Sequence, residues 1–274
     1  MSQDRVTDMT DHDYHDYDLS ARFYDHVVPY RERQEDVRFY VEHARAAGSP
    51  VLELGCGTGR VLLPVAREGI AITGVDLSAP MLAACREKLE AEPQEVRSRV
   101  QLVEADMRDL DLGQTFTLAM LPFRPFQHLL TRDDQLACLC AIHRHLAPGG
   151  RLVLDLFNPS LEALVDETHL SEWGDEPEFT TPAGERVLRR FRVARRDLLH
   201  QVQDLEMIFH VTSPDGSTRR EVERFQMRHL FRYEAEHLLV RAGFEQVEVF
   251  ADFDGTPFGA TYPGDLVLVA SRPA

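Results

Sequence analysis

The sequence predicts an α/β fold in which a doubly wound, mostly parallel seven-stranded sheet carries a smaller, inserted antiparallel sheet. Two observations predict the main sheet. Short apolar runs alternate with helical patterns between residues 51 and 156, and a glycine-rich loop directly follows the first run. Apolar strands that alternate with helices are typical of parallel βαβ units covered on both faces. After Pro159 the alternation stops, and runs with a period of two residues indicate antiparallel strands.

The segment before the first strand divides into a tail and an aromatic stretch. Residues 1–18 are dominated by Asp, His, Tyr and Thr without an apolar period, which predicts a mobile tail. Residues 17–30 form a short aromatic, amphipathic stretch. A helix is predicted over residues 35–47, because Gly48 and Pro50 end its apolar period.

The predicted elements of the core follow in a regular order. Five strands are expected at 51–54, 71–75, 100–103, 116–121 and 152–156, with helices at about 60–68, 79–91 and 132–146. A helix at 233–242 and strands at 244–250 and 266–270 rejoin the sheet. The chain therefore divides into a core of residues 19–159 and 233–274 and an inserted accessory β region of residues 160–232.

Three runs with a period of two residues predict the inserted sheet, at 187–193, 202–211 and 222–231. Apolar side chains on its alternate positions would cover a pocket or form a dimer contact: Leu205, Met207, Phe209, Phe225, Met227 and Phe231. The region also contains a dense basic cluster: Arg189, Arg190, Arg192, Arg195 and Arg196. These arginines either attract an acidic ligand or partner chain, or pair across strands with Glu206, Glu221 and Glu223, which is the commoner arrangement.

The charge and cysteine content exclude several classes of protein. In 274 residues, 30 basic and 46 acidic side chains give a net charge of −16, which repels nucleic acid and anionic lipid. No apolar run approaches the roughly 20 residues that span a bilayer, and the first residues lack the apolar core of a secretion signal. Four cysteines are too few for a disulfide framework. We expect a cytoplasmic monomer or homodimer with free thiols and without nucleic-acid or membrane partners.

The glycine-rich loop carries the strongest functional signal. Its sequence, Glu-Leu-Gly-Cys-Gly-Thr-Gly at 53–59, lets a ligand lie against bare backbone at the carboxyl end of a strand. A dinucleotide-binding loop would have its third glycine at position 60, where this chain has Arg60, so hydride chemistry is disfavoured. Asp76 closes the second strand, where a carboxylate can accept hydrogen bonds from both ribose hydroxyls.

This loop resembles motif I of the class I S-adenosylmethionine-dependent methyltransferases, and further matches follow in the order of that family. They are Val-Asp-Leu-Ser at 75–78, Glu-Ala-Asp-Met at 104–107 and Leu-Ala-Pro-Gly-Gly at 146–150. The resemblance implies a Rossmann-like methyltransferase fold with S-adenosyl-L-methionine as its cofactor. It assigns the binding of that cofactor to Tyr24, Glu53, Gly55, Cys56, Gly57, Gly59, Asp76, Leu77, Met81, Asp106, Met107 and Leu121.

The loop after the fourth strand, residues 121–128, is predicted to face the methyl acceptor, because it ends at the same edge of the sheet as the glycine loop. His128 is our candidate for a base or an acceptor-positioning group, and the alternative is a buried structural histidine. Arg124 either binds an anionic acceptor or points to solvent. The aromatic stretch resembles a lid over the cofactor, in which Tyr24 is the first candidate to lie near the sulfonium. The alternative is that its aromatic residues only attach the helix to the sheet.

Among small-molecule methyltransferases, the chain looks most like the group that includes the sugar N,N-dimethyltransferases of macrolide biosynthesis. The similarities are the pair Tyr24 and Asp25, a histidine in the loop after the fourth strand, and Arg-Tyr-Glu at 232–234. The chain departs from that group at the loop itself, where prolines and Phe123 replace smaller residues.

We therefore predict an enzyme that transfers a methyl group to a nitrogen or oxygen of a small-molecule acceptor by in-line displacement. The rival functions are a non-catalytic module that binds S-adenosylmethionine and, less favoured, an NAD-type oxidoreductase. No metal is expected. The candidate ligands Cys138, Cys140, His143 and His145 lie on a predicted helix, where residues two apart point in different directions.

Overall fold

The computed structural model describes residues 17–274 of the chain. Of the tail predicted over residues 1–18, only Tyr17 and Asp18 are among them, and a helix already begins at Asp18. The rest of that prediction lies outside the described residues.

The helices are short near the N-terminus and longer between the strands of the main sheet. In chain order they are α1 (Asp18–Phe23), α2 (Val28–Glu32), α3 (Glu35–Ala47), α4 (Leu62–Arg67), α5 (Ala79–Glu90), α6 (Gln94–Arg97), α7 (Arg132–His145), α8 (Leu161–Val165) and α9 (Arg232–Arg241). Single turns of 3₁₀ helix lie at Tyr24–His26, Pro125–His128 and Glu167–Leu170. Helix α3 has the predicted bounds and is followed by Gly48, whose φ of 73° is positive.

The strands form a main sheet and an accessory sheet. They are β1 (Val51–Leu54), β2 (Ile72–Asp76), β3 (Val100–Glu104), β4 (Phe116–Leu121), β5 (Leu146–Phe157), β6 (Phe179–Thr180), β7 (Arg186–Asp197), β8 (Val202–Thr212), β9 (Thr218–Arg228), β10 (Glu245–Phe250) and β11 (Asp265–Ser271). The main sheet has the order β10-β11-β5-β4-β1-β2-β3, with β11 antiparallel to its neighbours, and the accessory sheet is antiparallel in the order β6-β7-β8-β9. The predicted fold class is confirmed.

The main sheet is covered on both faces, as its apolar strands predicted. The side chains of β1 belong to two hydrophobic clusters, one on each face of the sheet. Leu52 and Leu54 pack with α7 and α9, whereas Val51 packs with α3, α4 and α5. Because β1, β2, β4 and β5 are parallel, their carboxyl ends meet at one edge. The glycine loop, Asp76 and the loop after β4 therefore lie close together.

The accessory sheet packs against the N-terminal helices rather than standing apart. Phe23 and Val27 are buried in a cluster with Val187 and Phe209. The ring centroids of Phe23 and Phe209 are 4.9 Å apart. The aromatic stretch is thus held between the accessory sheet and the main sheet.

Two details of the insertion differ from the prediction. Strand β9 ends at Arg228, because the apolar Leu230 turns away to pack in the main core. Phe231, which we expected on the strand, flanks the start of α9 and is 41% exposed. The short elements α8 and β6 were not predicted, because they are too short to show a period.

Two further properties concern the described part of the chain. The four cysteines are free, as predicted. In residues 17–274 we find no helix with the length and apolar character needed to cross a membrane.

Candidate active site

The loop between β1 and α4 has a backbone that requires glycine. Gly55, Gly57 and Gly59 have φ values of 66°, 53° and 81°, which are left-handed. A Cβ atom at Gly55 would lie 2.5 Å from the Cβ of Pro125, and one at Gly59 would lie 2.7 Å from the Sγ of Cys85. Within the described structure, no atom lies within 4 Å of the same position at Gly57. Gly57 therefore borders the open space in which a ligand can contact the backbone.

Two carboxylates lie beside this loop. Asp76 accepts the Gly57 N–H through Oδ2 at 2.7 Å and the Ser78 N–H through Oδ1 at 2.8 Å, and each oxygen keeps a lone pair for a ligand. Burial raises the pKa of Asp76, while these backbone hydrogen bonds oppose that shift. Glu53 is 1% exposed, and its Oε2 has no hydrogen-bond partner among residues 17–274. Burial raises the pKa of Glu53 to about 8.

The other predicted cofactor residues lie at the ends of β1 to β4. Leu77 follows β2 and is 59% exposed, and Met107, after β3, is partly buried against the main core. Arg108 holds the carboxylate of Asp106, with its Nη2 2.6 Å from Oδ2, a partner that the sequence reasoning missed. The remaining three residues are buried: Cys56, Met81 and Leu121.

His128 ends the 3₁₀ turn that follows β4 and is half-buried. Its Nδ1 lies 3.2 Å from the Tyr17 hydroxyl and 3.2 Å from the carbonyl oxygen of Gln226. Because a carbonyl oxygen can only accept, Nδ1 carries the proton in this arrangement and Nε2 carries the lone pair. The ring centroid lies 5.7 Å from that of Phe225 on the accessory sheet. His128 thus stands where the loop, the N-terminal segment and the accessory sheet meet.

Arg124 has neither of the two roles predicted for it. It is 5% exposed, its Nη2 donates to Asp265, and its Nε lies 3.8 Å from Oδ2 of Asp155. Its guanidinium also lies 3.8 Å from the ring centroid of Phe157. Because buried Asp155 and partly buried Asp265 compensate its charge, Arg124 neither points to solvent nor offers a free charge to an acceptor.

Tyr24 lies between the N-terminal segment and the loop after β4. Its ring is 4.7 Å from that of Tyr30 and meets that of Phe123 edge-on at 6.1 Å, centroid to centroid. Burial raises the pKa of its hydroxyl, and the nearby guanidinium of Arg60 opposes that shift. The hydroxyl therefore stays protonated at neutral pH, and its role near a sulfonium stays a prediction.

Tyr17 connects the N-terminal segment with the loop after β4. Its hydroxyl reaches His128, and burial raises its pKa, with a further increase from the negative charges of Glu223 and Asp76. Sequence reasoning placed Tyr24 first, because the fold that brings Tyr17 to His128 joins residues far apart in the chain.

Two residues attach the N-terminal segment through polar contacts. Asp25 accepts hydrogen bonds from the Thr58 hydroxyl at 2.9 Å and from the Lys88 ammonium at 2.8 Å. The backbone N–H of Ser20 donates to Oε2 of Glu223 at 2.8 Å, and the Ser20 hydroxyl donates to the other oxygen. The segment is therefore fixed to the glycine loop and to the accessory sheet. Sequence reasoning missed these contacts because each joins distant residues.

The arginines of the accessory sheet are paired inside the protein. Arg192 lies 2.7 Å from Glu206, which confirms part of the predicted pairing, and Arg189 lies 2.6 Å from Glu176. The predicted pairing with the other two acids is wrong: Glu221 pairs with Arg22 and Arg219, and Glu223 accepts from Ser20. Arg22 and Ser20 belong to the N-terminal segment, which packs on the accessory sheet. The sequence of the insertion alone does not reveal these partners.

The cysteines and histidines of α7 do not converge. His145 Nδ1 lies 2.7 Å from the Ala141 carbonyl, and its Nε2 accepts the Leu112 N–H at 3.0 Å. Residues 17–274 contain no group of three or more His, Cys, Asp or Glu side chains that could hold a metal ion.

Comparison with known proteins agrees with this geometry. Residues 51–150, which contain the glycine loop, Asp76 and the loop after β4, match the family model of a methyltransferase domain. Over 213 residues the chain is 26% identical to a dTDP-3-amino-3,4,6-trideoxy-alpha-D-glucopyranose N,N-dimethyltransferase of Streptomyces venezuelae. That alignment covers 75% of this chain and 80% of the relative.

Two solved structures extend the similarity over almost the whole chain. The CcbJ methyltransferase of Streptomyces caelestis is 29% identical, with a TM-score of 0.72, over 93% of this chain and 96% of that protein. An amino pentose methyltransferase of Micromonospora echinaspora, solved with bound S-adenosylmethionine, is 26% identical, with a TM-score of 0.66, over 89% and 94% of the two chains.

Proposed function

We infer that this chain, an S-adenosylmethionine-dependent methyltransferase, transfers a methyl group to the nitrogen of a small-molecule amine. The observation that carries the proposal is the contact of Tyr17 with His128, which lies in the loop after β4 whose Pro125 packs against Gly55 of the glycine loop. Relatives with an amino-sugar substrate in their names support a nitrogen as the acceptor atom. A cytoplasmic location and a monomeric or homodimeric state stay predictions of the sequence.

The residues at the carboxyl edge fit the cofactor. When bound, S-adenosyl-L-methionine supplies a methyl group on a positively charged sulfur. Gly57 leaves its backbone open to a ligand, and Asp76 keeps lone pairs for ribose hydroxyls. Burial keeps Glu53 protonated in the ligand-free protein, and a bound cationic group would favour its ionised form, in which Oε2, unpartnered among the described residues, accepts a hydrogen bond. We assign these three residues, with Gly55 and Gly59 shaping the loop, to the cofactor.

The adenine side of the site is proposed at the ends of β2 and β3. Leu77 is exposed and apolar, Met107 lies at the next strand end, and both suit the flat face of a base. Asp106 accepts hydrogen bonds from Arg108, and a carboxylate with about four lone-pair sites can also accept an amino group. Arg108 thus orients Asp106 toward the ligand.

His128 is proposed as the base. An amine attacks a methyl group only through a lone pair, and it must lose a proton before or after the transfer. The Gln226 carbonyl holds Nδ1 as the protonated nitrogen, so Nε2 accepts that proton. Tyr17 fixes the ring from the other side. We therefore assign His128 to the acceptor and not to the cofactor.

The N-terminal segment is proposed to exclude water from the reacting atoms. Most of the acceleration in an in-line displacement comes from holding the acceptor nitrogen, the methyl carbon and the sulfur in line. Tyr24 and Tyr30 cover the loop after β4, and Asp25 attaches this cover to Lys88. The inserted accessory sheet then forms the outer wall on the acceptor side.

The test is transfer of a labelled methyl group from S-adenosylmethionine to a panel of amino sugars and to matched sugars with a hydroxyl in place of the amine. We expect methylation of amines and not of the matched alcohols. His128→Asn should lower kcat by roughly 10²-fold or more and leave the Kd for S-adenosylhomocysteine unchanged. His200→Asn is the control, because that histidine is exposed and pairs with Asp197.

Three other outcomes would contradict the proposal. Binding of S-adenosylhomocysteine without transfer to any amine or alcohol would indicate a non-catalytic binding module. Transfer to alcohols alone would make oxygen the acceptor. Thermal protection by NAD(H) without protection by S-adenosylhomocysteine would indicate an oxidoreductase.

A further inference from the structure

The loop after β4 contains two consecutive residues in a conformation that side chains disfavour. Phe123 and Arg124 have φ values of 66° and 70°, in the left-handed region where a Cβ atom crowds the backbone. Neither is glycine, asparagine or aspartate, the residues that tolerate this region best. Such a conformation persists only where surrounding contacts impose it.

Asp155 provides the contacts that impose this conformation. Its Oδ1 accepts the Phe123 N–H at 2.8 Å, at the first strained residue, and the Tyr40 hydroxyl at 2.7 Å. Its Oδ2 lies 3.8 Å from Nε of Arg124, the second strained residue. Asp155 is 1% exposed and lies on β5, inside the main sheet. A rigid strand therefore holds one acid against both strained positions.

Asp155 also contributes to the balance of charges around the loop. Arg124 also pairs with Asp265, which in turn accepts a hydrogen bond from Arg33 Nη2 at 2.8 Å. Asp155 and Asp265 thus face Arg124 and Arg33. Removing the carboxylate of Asp155 would leave Arg124, at 5% exposure, to share a single acid with Arg33, and buried unpaired charge is costly.

The strained turn determines where three parts of the site lie. Directly after it, Pro125 packs where a Cβ on Gly55 would be. The ring of Phe123 meets that of Tyr30 edge-on at 4.8 Å, centroid to centroid. The following turn ends at His128, whose Nδ1 reaches Gln226. The direction of the chain at residues 123 and 124 therefore fixes the glycine loop, the lid and the base relative to one another.

We propose that Asp155 is a positioning residue, which holds the strained loop after β4 so that His128 faces the acceptor. This rests on the proposed function of His128 as the base. Asp155 itself is 1% exposed, and we assign it no contact with cofactor or acceptor. Its substitution should displace His128 while the residues assigned to the cofactor stay in place.

The first test uses ¹⁵N-histidine NMR spectra of the full-length chain saturated with S-adenosylhomocysteine, with the His128 signals assigned by His128→Gln. In the wild type we expect the tautomer with the proton on Nδ1. Asp155→Ala should shift His128 to a mixture of tautomers, because the loop no longer holds Nδ1 against Gln226. Asp155→Asn keeps the acceptor for Phe123 and should lie between the two. Glu206→Gln is the matched control, since Glu206 is a buried acid paired with arginine on the accessory sheet.

The second test measures kcat with the amine that the panel identifies. A displacement of about 1 Å at a catalytic group can cost on the order of 100-fold, so we expect a loss of that size for Asp155→Ala. The double variant Asp155→Ala with Arg124→Gly removes the unbalanced charge and one strained Cβ, and it should recover roughly tenfold. An effect on folding alone would lower Tm without this recovery.

The results separate the two proposals. If the spectra of Asp155→Ala show the wild-type His128 tautomer, the positioning role is wrong whatever the enzyme methylates. If the tautomer shifts while the wild type methylates no amine, Asp155 positions the loop but the proposed function of His128 fails.

Discussion

Replacement of Glu53 by glutamine should change how the stability of the ligand-free protein depends on pH. Glu53 is buried in β1, and burial raises the pKa of its carboxyl from 4.5 to about 8, with a smaller increase from Asp76 and an opposing effect of Arg60. At neutral pH the folded state therefore keeps a proton on Glu53 that the unfolded state has released. Glu53→Gln has nearly the same shape and cannot titrate.

The magnitude follows from the difference between the two pKa values. A folded-state pKa above the unfolded value favours folding at low pH, and the contribution is lost as pH rises toward 8. Each pKa unit corresponds to about 1.4 kcal/mol. From a usual pKa of 4.5 to about 8, the wild type should lose about 5 kcal/mol relative to the glutamine variant.

The assay is guanidinium unfolding of both proteins without ligand at several pH values between 5 and 8. Partly buried Asp76 and buried Asp155 also have raised pKa values, so both proteins should lose stability as pH rises. The difference in their free energies of unfolding should fall by about 1.4 kcal/mol per pH unit. Parallel curves for the two proteins would refute the reasoning, because they would mean that Glu53 is ionised in the folded state.

Three further predictions concern the glycine loop and its surroundings. Asp76→Ala should weaken S-adenosylhomocysteine binding by on the order of 100-fold in calorimetry, because hydrogen bonds to a charged group contribute about 1.5–3 kcal/mol each; unchanged affinity would remove Asp76 from the site. Lys88→Ala breaks a half-exposed ion pair with the N-terminal segment, so it should cost less than about 1 kcal/mol of stability. It should nevertheless speed the release of S-adenosylhomocysteine in stopped-flow experiments, and equal release rates would show that the pair does not retain the ligand. Gly59→Ala should lower the free energy of unfolding by roughly 2–4 kcal/mol, since its Cβ would meet the Sγ of Cys85 at 2.7 Å. Gly57→Ala should cost only about 1 kcal/mol but abolish cofactor binding. The reverse pattern in urea unfolding and calorimetry would contradict the geometry.

Much of the main sheet could be predicted from the sequence because its signals are local. The strands β1 and β4 and the helix α3 have the predicted bounds, since apolar period, glycine and proline mark their ends. The glycine loop and Asp76 were predicted for the same reason: their spacing along one βαβ unit places them together. Local pattern thus determines the cofactor side of the site.

The acceptor side could not be predicted in the same way, because its contacts are not local. Arg124 is an example: a charged residue in a proline-rich loop suggests exposure, yet it is 5% exposed. The acids that compensate it come from β5 and β11, and their approach depends on the finished sheet. The strained backbone at Phe123 has no signature in the sequence for the same reason.

The accessory sheet shows a second reason why the sequence did not predict every contact, namely one irregularity in the pairing of β7 with β8. Alternation places Val193 and Arg195 on one face, but the register between β7 and β8 shifts between them. Arg195 therefore lies opposite Asp204 and pairs with it at 2.7 Å. After one bulge, every later residue of a strand points to the opposite face from the one that simple alternation predicts. The order of charged residues in the sequence therefore did not predict which face of the sheet carries each charge.

The N-terminal segment makes the two halves of the site depend on each other. Asp25 is attached to the cofactor side through Thr58 and Lys88, whereas Tyr17 is attached to the acceptor side through His128. One short segment thus supplies part of both surfaces. A ligand that orders it at one surface reduces the entropic cost of ordering it at the other. Binding of cofactor and of acceptor to this chain should therefore be positively coupled, because both ligands require the same position of residues 17–30.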